Sequence, residues 1–566
     1  MSPTPTTTWI QRLRAHLALL RSGAERIRAP RLVARWYRGL SYVLHLLLWS
    51  RIAAGRAGAV PVELPARLLR HKGIETPPPR LAASGHAEAR VLSDGFAQVH
   101  ALLFANLRRA DLLSSTRHAI PGPAFRGVYL WDSAFIAQVW AWWDPAVAAD
   151  VLGAVIELRD GDRLQHVVTE FHASRYTQPP LIAWSLQRLL PHVRAGAGES
   201  VATALAERHF VPLCAFQRWL DAHRRLDDGL YAWAHPYESG VENAPRFSNA
   251  DESALRNTAG IGAVDFSCYV VLQLEALAEL ARRLDLTRAA ARYRGDAQAL
   301  RRRIDALLWD ERDGLYYDRD GAGAPVRVAT IASLLPLWAG VPDGGRAERM
   351  IRRVMAPRGF GTLIPLPSVA RDAPQFEPDM WRGPVWLNMA YGVIQGLLRY
   401  GRDREAAELA WRLCVGVHRV FERERHIYEF YDPDRHHTRA LRRKRGNLWK
   451  ALTLGTGPQR DFVGWTGLVN NLLLEVLLGL EHRTDGLTLC PRLPAAATGL
   501  RLRLELPPAG LQLELSRPAG NRVEGRVARG AHEASFVIRD GQRLNLDAVV
   551  DGPTEGSFPC QCAYAT

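Results

Sequence analysis

Two acidic segments, Tyr237-Glu238-Ser239-Gly240-Val241-Glu242-Asn243-Ala244-Pro245-Arg246 and Tyr428-Glu429-Phe430-Tyr431-Asp432-Pro433, set carboxylates among aromatic, amide and arginine side chains. Cleaving a glycosidic bond requires one protonated carboxyl group to donate to the leaving oxygen and one carboxylate to act on the opposite face of the sugar. Residues far apart in a chain can form such a pair, because catalytic groups are defined by geometry and not by order. Glutamates beside Tyr and Pro also occur as helix caps and as ion-paired loop residues. Either segment alone therefore reads as structure as readily as chemistry.

The accompanying motifs favour chemistry. Gly127-Val128-Tyr129-Leu130-Trp131-Asp132 precedes Trp140, Trp142 and Trp143; Gln178-Pro179-Pro180 precedes Trp184. Asp379-Met380-Trp381-Arg382-Gly383-Pro384-Val385-Trp386-Leu387-Asn388 and Asp461-Phe462-Val463-Gly464-Trp465 follow. An indole offers a flat apolar face for a sugar ring and a donor for a hydroxyl. Tryptophan in a core needs no such company, whereas these residues recur beside Asp, Arg or Gln at Gly- and Pro-marked breaks, as rim loops would place them.

The elements that must hold these loops are helical. Apolar residues recur at helical spacing near 87–108, 132–143, 145–158, 178–193, 198–222, 266–285, 287–309, 328–340, 343–356, 384–401, 403–422 and 460–479, with little strand-like sequence between them. Twelve helices in six pairs predict a mainly α fold, a ring of inner and outer helices whose loops at one end carry the site.

The motifs, in their order along residues 87 to 480, resemble those of glycoside hydrolase family 63, which includes processing α-glucosidase I and bacterial mannosylglycerate and glucosylglycerate hydrolases. The resemblance implies an (α/α)6 barrel and an inverting α-glycosidase mechanism. It places the general acid at Glu242 and the general base at Glu429, with Glu238 as an auxiliary site residue. Trp131, Asp132, Gln178, Asn243, Arg246, Trp381, Arg382, Trp386, Tyr431 and Trp465 are the expected sugar-binding residues. For Asp132 and Arg382 the structural alternative is an ion pair bracing the rim. For Asp265, the alternative to a site role is capping of the helix that follows it.

This sequence departs from the family pattern at two places. Position 242 is Glu where aspartate is usual, one methylene longer, and a displacement of about 1 Å can cost on the order of 100-fold in rate. Position 247 is Phe where tryptophan is usual. The departures leave open a shifted loop, transfer of the acid role to Glu238, or a catalytically impaired carbohydrate-binding protein on the same barrel; a trehalase-like hydrolase is a further alternative. If Glu242 is the acid it must stay protonated near neutral pH, and the negative charge of Glu238 could raise its pKa.

The flanks differ from the centre. Residues 1–85 read as a basic helical segment, with Arg12, Arg14, Arg21, Arg26, Arg28, Arg31, Arg35 and Arg38 around an apolar run, Leu40 to Trp49, too short to span a bilayer. Such a segment docks on the barrel or lies on an acidic membrane surface. Residues 86–483 form the barrel domain. From about Thr484 the pattern alternates, as in Leu500 to Leu506 and Ala534 to Arg539 with Asp540-Gly541 at a turn, so residues 484–566 read as a small antiparallel β unit.

The 566-residue chain is 47% hydrophobic and carries a net charge of +15. The charge is almost wholly arginine, the lysines being Lys72, Lys444 and Lys450, and no nucleic-acid module accompanies it. A basic membrane- or nucleic-acid-associated scaffold is therefore the least favoured class. The run His436 to Arg445 follows Glu429 closely and reads either as a solvated loop or as a receiver for a carboxylate or phosphate on the substrate. Six dispersed cysteines, Cys214, Cys268, Cys414, Cys490, Cys560 and Cys562, and no export signal point to the cytoplasm. No cofactor or metal is expected; the expected partner is a small carbohydrate, with an acidic aglycone as one option.

Overall fold

Outer and inner helices of the central layer are distinguished by how much of each is apolar. The computed structural model describes residues 63–170, 172–247, 258–443 and 454–551. The principal helices in chain order are α1 (Ala89–Asn106), α2 (Leu130–Ala141), α3 (Pro145–Glu157), α4 (Ile182–Ala197), α5 (Glu199–Arg224), α6 (Val264–Arg283), α7 (Thr287–Leu308), α8 (Leu335–Ala339), α9 (Gly344–Met355), α10 (Leu387–Arg399), α11 (Asp403–Glu424) and α12 (Leu468–Asn471), which continues as a π-helical stretch Leu472–Leu477. Every residue of α2 is buried, as expected of a helix enclosed by others. On α7 only Ala290, Tyr293, Ala297, Leu300, Ile304 and Leu308 are buried, a single stripe at helical spacing.

The even-numbered helices touch in succession, α2 to α4, α4 to α6, α6 to α8, α8 to α10, α10 to α12 and α12 back to α2. Of the odd-numbered helices, α3, α5, α7 and α11 pack against α2, α4, α6 and α10 respectively, and α1 packs against α11. Local chemistry sets several of these helices. Asp144 caps α3, its carboxylate accepting from the Ala146 and Val147 N–H groups at 3.0 and 3.1 Å, with Pro145 at the first helical position. The approach of α8 to α10 depends on Gly396, where a Cβ would stand 2.7 Å from the backbone nitrogen of Trp338.

A polar knot ties the even-numbered helices together. Glu475, on the π stretch, accepts from Arg188 of α4 at 2.8 Å, the Tyr391 hydroxyl of α10 at 2.7 Å, Asn471 at 2.7 Å and the Trp142 indole at the end of α2 at 3.0 Å. Arg188 also donates to Gln138 of α2 at 3.0 Å. Such a network adds specificity to an apolar interior only when its charged members are satisfied. Both Glu475 oxygens are.

The C-terminal sheet is antiparallel. Its strands are β1 (Arg80–Ser84), β4 (Arg501–Leu506), β5 (Leu511–Ser516), β6 (Arg522–Arg529) and β7 (His532–Arg539), in that spatial order. A smaller sheet holds β2 (Glu481–Arg483), β3 (Gly486–Leu489) and β8 (Leu544–Asn545). Leu502, Leu504, Leu511, Leu513, Leu515, Val523 and Val527 are buried and alternate with polar residues, the period-2 pattern visible in the sequence. One segment departs from the sequence reading. Residues 80–84 are not helical; they form the edge strand β1, with Leu81 opposite Leu504. Within the expected N-terminal helical segment the described helix is the short Ala66–His71, and the arginine-rich run with Leu40 to Trp49 lies outside the described residues.

Candidate functional site

The conspicuous motifs meet at the N-terminal ends of the even-numbered helices. Trp131 and Asp132 occupy the first turn of α2, Gln178 precedes α4, Asp265 opens α6, Trp386 immediately precedes α10, and Asp461 to Trp465 lead into α12. Gln178 fixes the entry to α2 by accepting from the Trp131 N–H at 3.2 Å. The tryptophans form one body: Trp381 stacks on Trp386 with centroids 3.7 Å apart, Trp386 lies 5.5 Å from Trp465, and Trp131 lies 5.7 Å from Trp465 and 6.3 Å from Trp381. Their donors are partly committed to the protein. The Trp386 indole donates to the Met380 carbonyl at 3.0 Å and that of Trp465 to the Glu429 carbonyl at 2.8 Å.

The acidic loop is held at several points. Gly240 adopts a φ of +72°, and its missing side chain leaves room for the Trp131 ring, which any Cβ there would strike. Ser239 accepts from the Val241 N–H at 3.1 Å, and Asn243 accepts from the Trp381 N–H at 3.0 Å. Glu242 is half-buried between these anchors. Glu238 is fully buried and clamped: Arg224 donates to both its oxygens at 2.9 and 2.7 Å, and the Ala234 and Thr177 N–H groups complete the set at 2.9 and 3.3 Å. Its charge is thus compensated by Arg224, and the expected charge pressure of Glu238 on Glu242 finds no support in this arrangement.

Arg246 is also buried, within an ion network. Its guanidinium pairs with Asp265 and, at 2.8 Å, with Asp318, whose Oδ1 accepts from the Val264 N–H at 2.9 Å at the start of α6. Asp265 also accepts from the Trp233 indole at 3.0 Å. Asp265 is therefore a buried member of an ion network and not a plain cap. Phe247 lies under the same guanidinium, 4.4 Å from ring centroid to carbon, so the ring that replaces the usual tryptophan serves as an apolar cover. Asp132 and Arg382 do not pair: Arg382 binds Glu377 at 2.7 Å on the loop, whereas Asp132 sits at the head of α2 against Gly464. The Tyr431 hydroxyl is fully buried and accepts from the Tyr428 N–H at 2.9 Å.

Burial pushes the Asp132 carboxyl up to about 8, opposed by hydrogen bonds from its own backbone N–H and the Trp131 side chain. Because the folded value lies above that of the unfolded chain, this group binds more protons in the folded state between about pH 4 and 8, and its contribution to stability is lost as pH rises through that window. Asp132→Asn removes the ionisation. Its melting temperature is expected to gain on the wild type progressively from about pH 4 to about pH 8 in differential scanning calorimetry; parallel curves would contradict the assignment.

Glu429 is buried and meets Arg443 as an ion pair, while its Oε2 also accepts from the Gln459 N–H at 3.3 Å. Arg443 is fixed from behind, its Nε donating to the Gly457 carbonyl at 3.1 Å and its guanidinium 5.5 Å from the Phe430 ring. Burial draws the Arg443 guanidinium down to about 10, and the charges of Glu242 and Asp379 act in the opposite sense. One buried cation therefore contacts Glu429 and lies within the field of Glu242. Arg443 belongs to the basic run singled out in the sequence, but its pairing with Glu429 was not expected, and Arg224 and Asp318, which carry no motif of their own, were missed.

Comparison with known proteins identifies the family. Residues 126–447 match the mannosylglycerate hydrolase MGH1-like glycoside hydrolase domain. A mannosylglycerate hydrolase of Thermus thermophilus is 30% identical over 398 residues, covering 57% of this chain and 93% of that protein. That of Rubrobacter radiotolerans is 27% identical over 447 residues, covering 63% and 92%. The crystal structure of a family 63 mannosylglycerate hydrolase from Thermus thermophilus in complex with glucose superposes with a TM-score of 0.54 at 27% identity, covering 66% of this chain and 98% of that one. The chain thus belongs to the mannosylglycerate hydrolase MGH1-like family, is a family 63-like glycoside hydrolase, and shares the helical fold of those enzymes.

Proposed function

We propose that this enzyme inverts configuration at an α-glucosidic or α-mannosidic bond, and that the leaving group bears a carboxylate. The observation that supports the mechanism is that the loops carrying Glu242 and Glu429 are tied to the same tryptophan body, Asn243 accepting from the Trp381 N–H at 3.0 Å and the Glu429 carbonyl from the Trp465 indole at 2.8 Å. Glu242 donates a proton to the glycosidic oxygen as the C–O bond breaks. Glu429 takes a proton from the water that attacks the anomeric carbon from the other face. An inverting pair stands about 6.5–9.5 Å apart to admit that water. Glu238, clamped by Arg224, acts as a brace for the acid loop, and the same role falls to Arg246. Asp132, Gln178 and the Trp131, Trp381, Trp386 and Trp465 body form the floor beneath the sugar, with Asn243, Arg382 and Tyr431 at its margins.

The same reading takes the cyclic succession of even-numbered helices as the inner ring of an (α/α)6 barrel spanning residues 86–483, and residues 484–566 as an appended β unit. The carboxylate aglycone is supported by the mannosylglycerate hydrolases to which the chain is similar. A cytoplasmic location is supported by Cys214, Cys268, Cys414 and Cys490, which are free thiols. Among the described residues no helix is long and apolar enough to cross a membrane. Proton NMR of the purified protein with α-glucosides and α-mannosides, including mannosylglycerate, glucosylglycerate and trehalose, tests the mechanism. The β-anomer is expected to be released first; first release of the α-anomer would refute inversion.

A further inference from the structure

A second cleft lies between the helical layer and the C-terminal sheets, at the far end of the helices from the tryptophan body. Helix α2 begins at the site with Trp131 and ends at this cleft with Ala141 and Trp142, a rise of about 16 Å along its axis. The volume of the cleft is about 490 Å³, within the range of small-molecule sites. Separate parts of the chain wall it: the ends of α2 and α4, the β2–β3 hairpin, the turn from β4 to β5, and β6 with the helix Leu546–Asp551.

Arg194, Arg483, Arg529, His192 and His482 line the cleft, and the one carboxylate among its lining residues is Asp547. That carboxylate is already engaged, accepting from Arg529 and, at 2.8 Å, from the Leu487 N–H. Arg483 meets Glu481 at 3.0 Å. Arg194 meets no carboxylate among the described residues; its guanidinium donates to the Arg483 carbonyl. The imidazoles of His192 and His482 lie 4.7 Å apart between centroids and both contact the Trp142 ring, at 4.6 and 5.5 Å. Trp142 is fixed in turn, its indole donating to Glu475 at 3.0 Å. Burial draws His482 down to about 4 and holds His192 well below its usual range. At neutral pH each imidazole is therefore uncharged and has one N–H to donate.

A guanidinium without an acidic partner, beside two imidazoles held in place by an indole, suits an oxyanion. Phosphate has enough oxygens to receive a guanidinium and both imidazoles at once. The opposite wall, Leu487, Leu506, Pro508 and Ala509, is apolar and suits a short carbon chain. We infer that this cleft is a second ligand site, separate from the glycosidase site, and that it takes a small phosphate monoester. Arg194 supplies the charge for the phosphate, His192 and His482 donate to its oxygens, and the carbon chain lies against the β4–β5 turn.

Isothermal titration of the full chain at pH 7 with glycerol 3-phosphate and with inorganic phosphate, glycerol being the neutral control, tests the inference. Glycerol 3-phosphate is expected to bind and inorganic phosphate to bind several-fold more weakly, for want of the apolar contact; equal affinities would overturn the assignment to an ester. Arg194→Gln is expected to weaken glycerol 3-phosphate binding by about tenfold or more, with Arg194→Lys intermediate. Ala509→Trp, which fills the cleft without removing a polar group, is expected to abolish binding and provides a test independent of Arg194. Glu429→Gln, at the other end of the helices, should leave the affinity unchanged. Absence of binding to the wild type, binding that survives either cleft variant, or loss of binding in Glu429→Gln would overturn the second site. None of these results bears on the hydrolase reading, which rests on the anomer released.

Discussion

Glu429→Gln is expected to lower kcat by about three orders of magnitude while leaving the sugar bound. General-base catalysis contributes typically about 100- to 10,000-fold, and an inverting enzyme has no covalent intermediate that could bypass the loss. The amide keeps the volume of the carboxylate and the contact from the Trp465 indole goes to the backbone carbonyl of residue 429, so the aromatic body is kept, while the loss of the charge partner of buried Arg443 is expected to lower stability as well. Steady-state kinetics on whichever glycoside the wild type cleaves, beside titration of the same sugar, separates the two effects. Residual activity within about tenfold of the wild type would remove Glu429 from the role of base and transfer attention to another carboxylate near Arg443, Asp379 being the first choice.

Arg246→Met should have the largest effect on stability, a loss of about 3–5 kcal/mol, because breaking one side of a buried ion network leaves charge without compensation. Asp265 and Asp318 would then face each other across the space the guanidinium fills. Burial already pushes the Asp318 carboxyl above the usual range, with the Asp265 charge adding to it, and the Arg246 charge is the main opposing influence. Adding Asp318→Asn to Arg246→Met should restore part of the lost stability, since one of the two stranded charges is then neutral. Urea denaturation of the single and double variants measures this; a loss below about 1 kcal/mol for the single variant would show that the network contributes little. Arg246 also closes the 3-10 turn Pro245–Phe247 that ends the acidic loop, so activity should fall together with stability.

Helix positions were legible because periodic burial and end signals agree. The segments expected at 145–158, 287–309 and 403–422 appear as Pro145–Glu157, Thr287–Leu308 and Asp403–Glu424. Agreement failed where an apolar run was long enough for a helix but its first part was needed elsewhere. The run 460–479 is helical only from Leu468, because Phe462 to Trp465 form the site loop and Gly464 packs against Asp132. The run 328–340 yields a five-residue α8 preceded by a 3-10 turn, Ile331–Leu334. Strand β1 was invisible for another reason. Arg80-Leu81-Ala82-Ala83-Ser84 is a weak strand sequence by itself, and its pairing partner lies about 420 residues away.

Within the site, the residues expected from motifs do gather at one end of the helices, but their types did not disclose which would be spent on support. Glu238, expected as an auxiliary site residue, and Arg246, expected at the sugar, are clamped by partners, Arg224 and Asp318, that stand in stretches with no signature. Charge partners of this sort are fixed by three-dimensional proximity alone. Asp132 is a related case: its Trp-Asp pair suggested a sugar-binding residue or a rim ion pair with Arg382, and nothing in the sequence disclosed that it lies at the head of a helix buried on all sides.

Strand β1 has a consequence for biosynthesis. Residues 80–84 leave the ribosome early, whereas β4 follows only after more than four hundred further residues have been made. Until then the nascent chain carries an unpaired edge, with Leu81 and its neighbours exposed to other partners. Neighbouring helices between them can pair as they emerge, although α1 and α2 wait for α11 and α12, and the five-stranded sheet cannot close until residues 501–539 have been made, because long-range pairing is the slow step in assembly. Closing that sheet joins the two ends of the described chain, and a ribosome stalled before residue 501 would release a protein whose helices are in place and whose first strand has nothing to pair with.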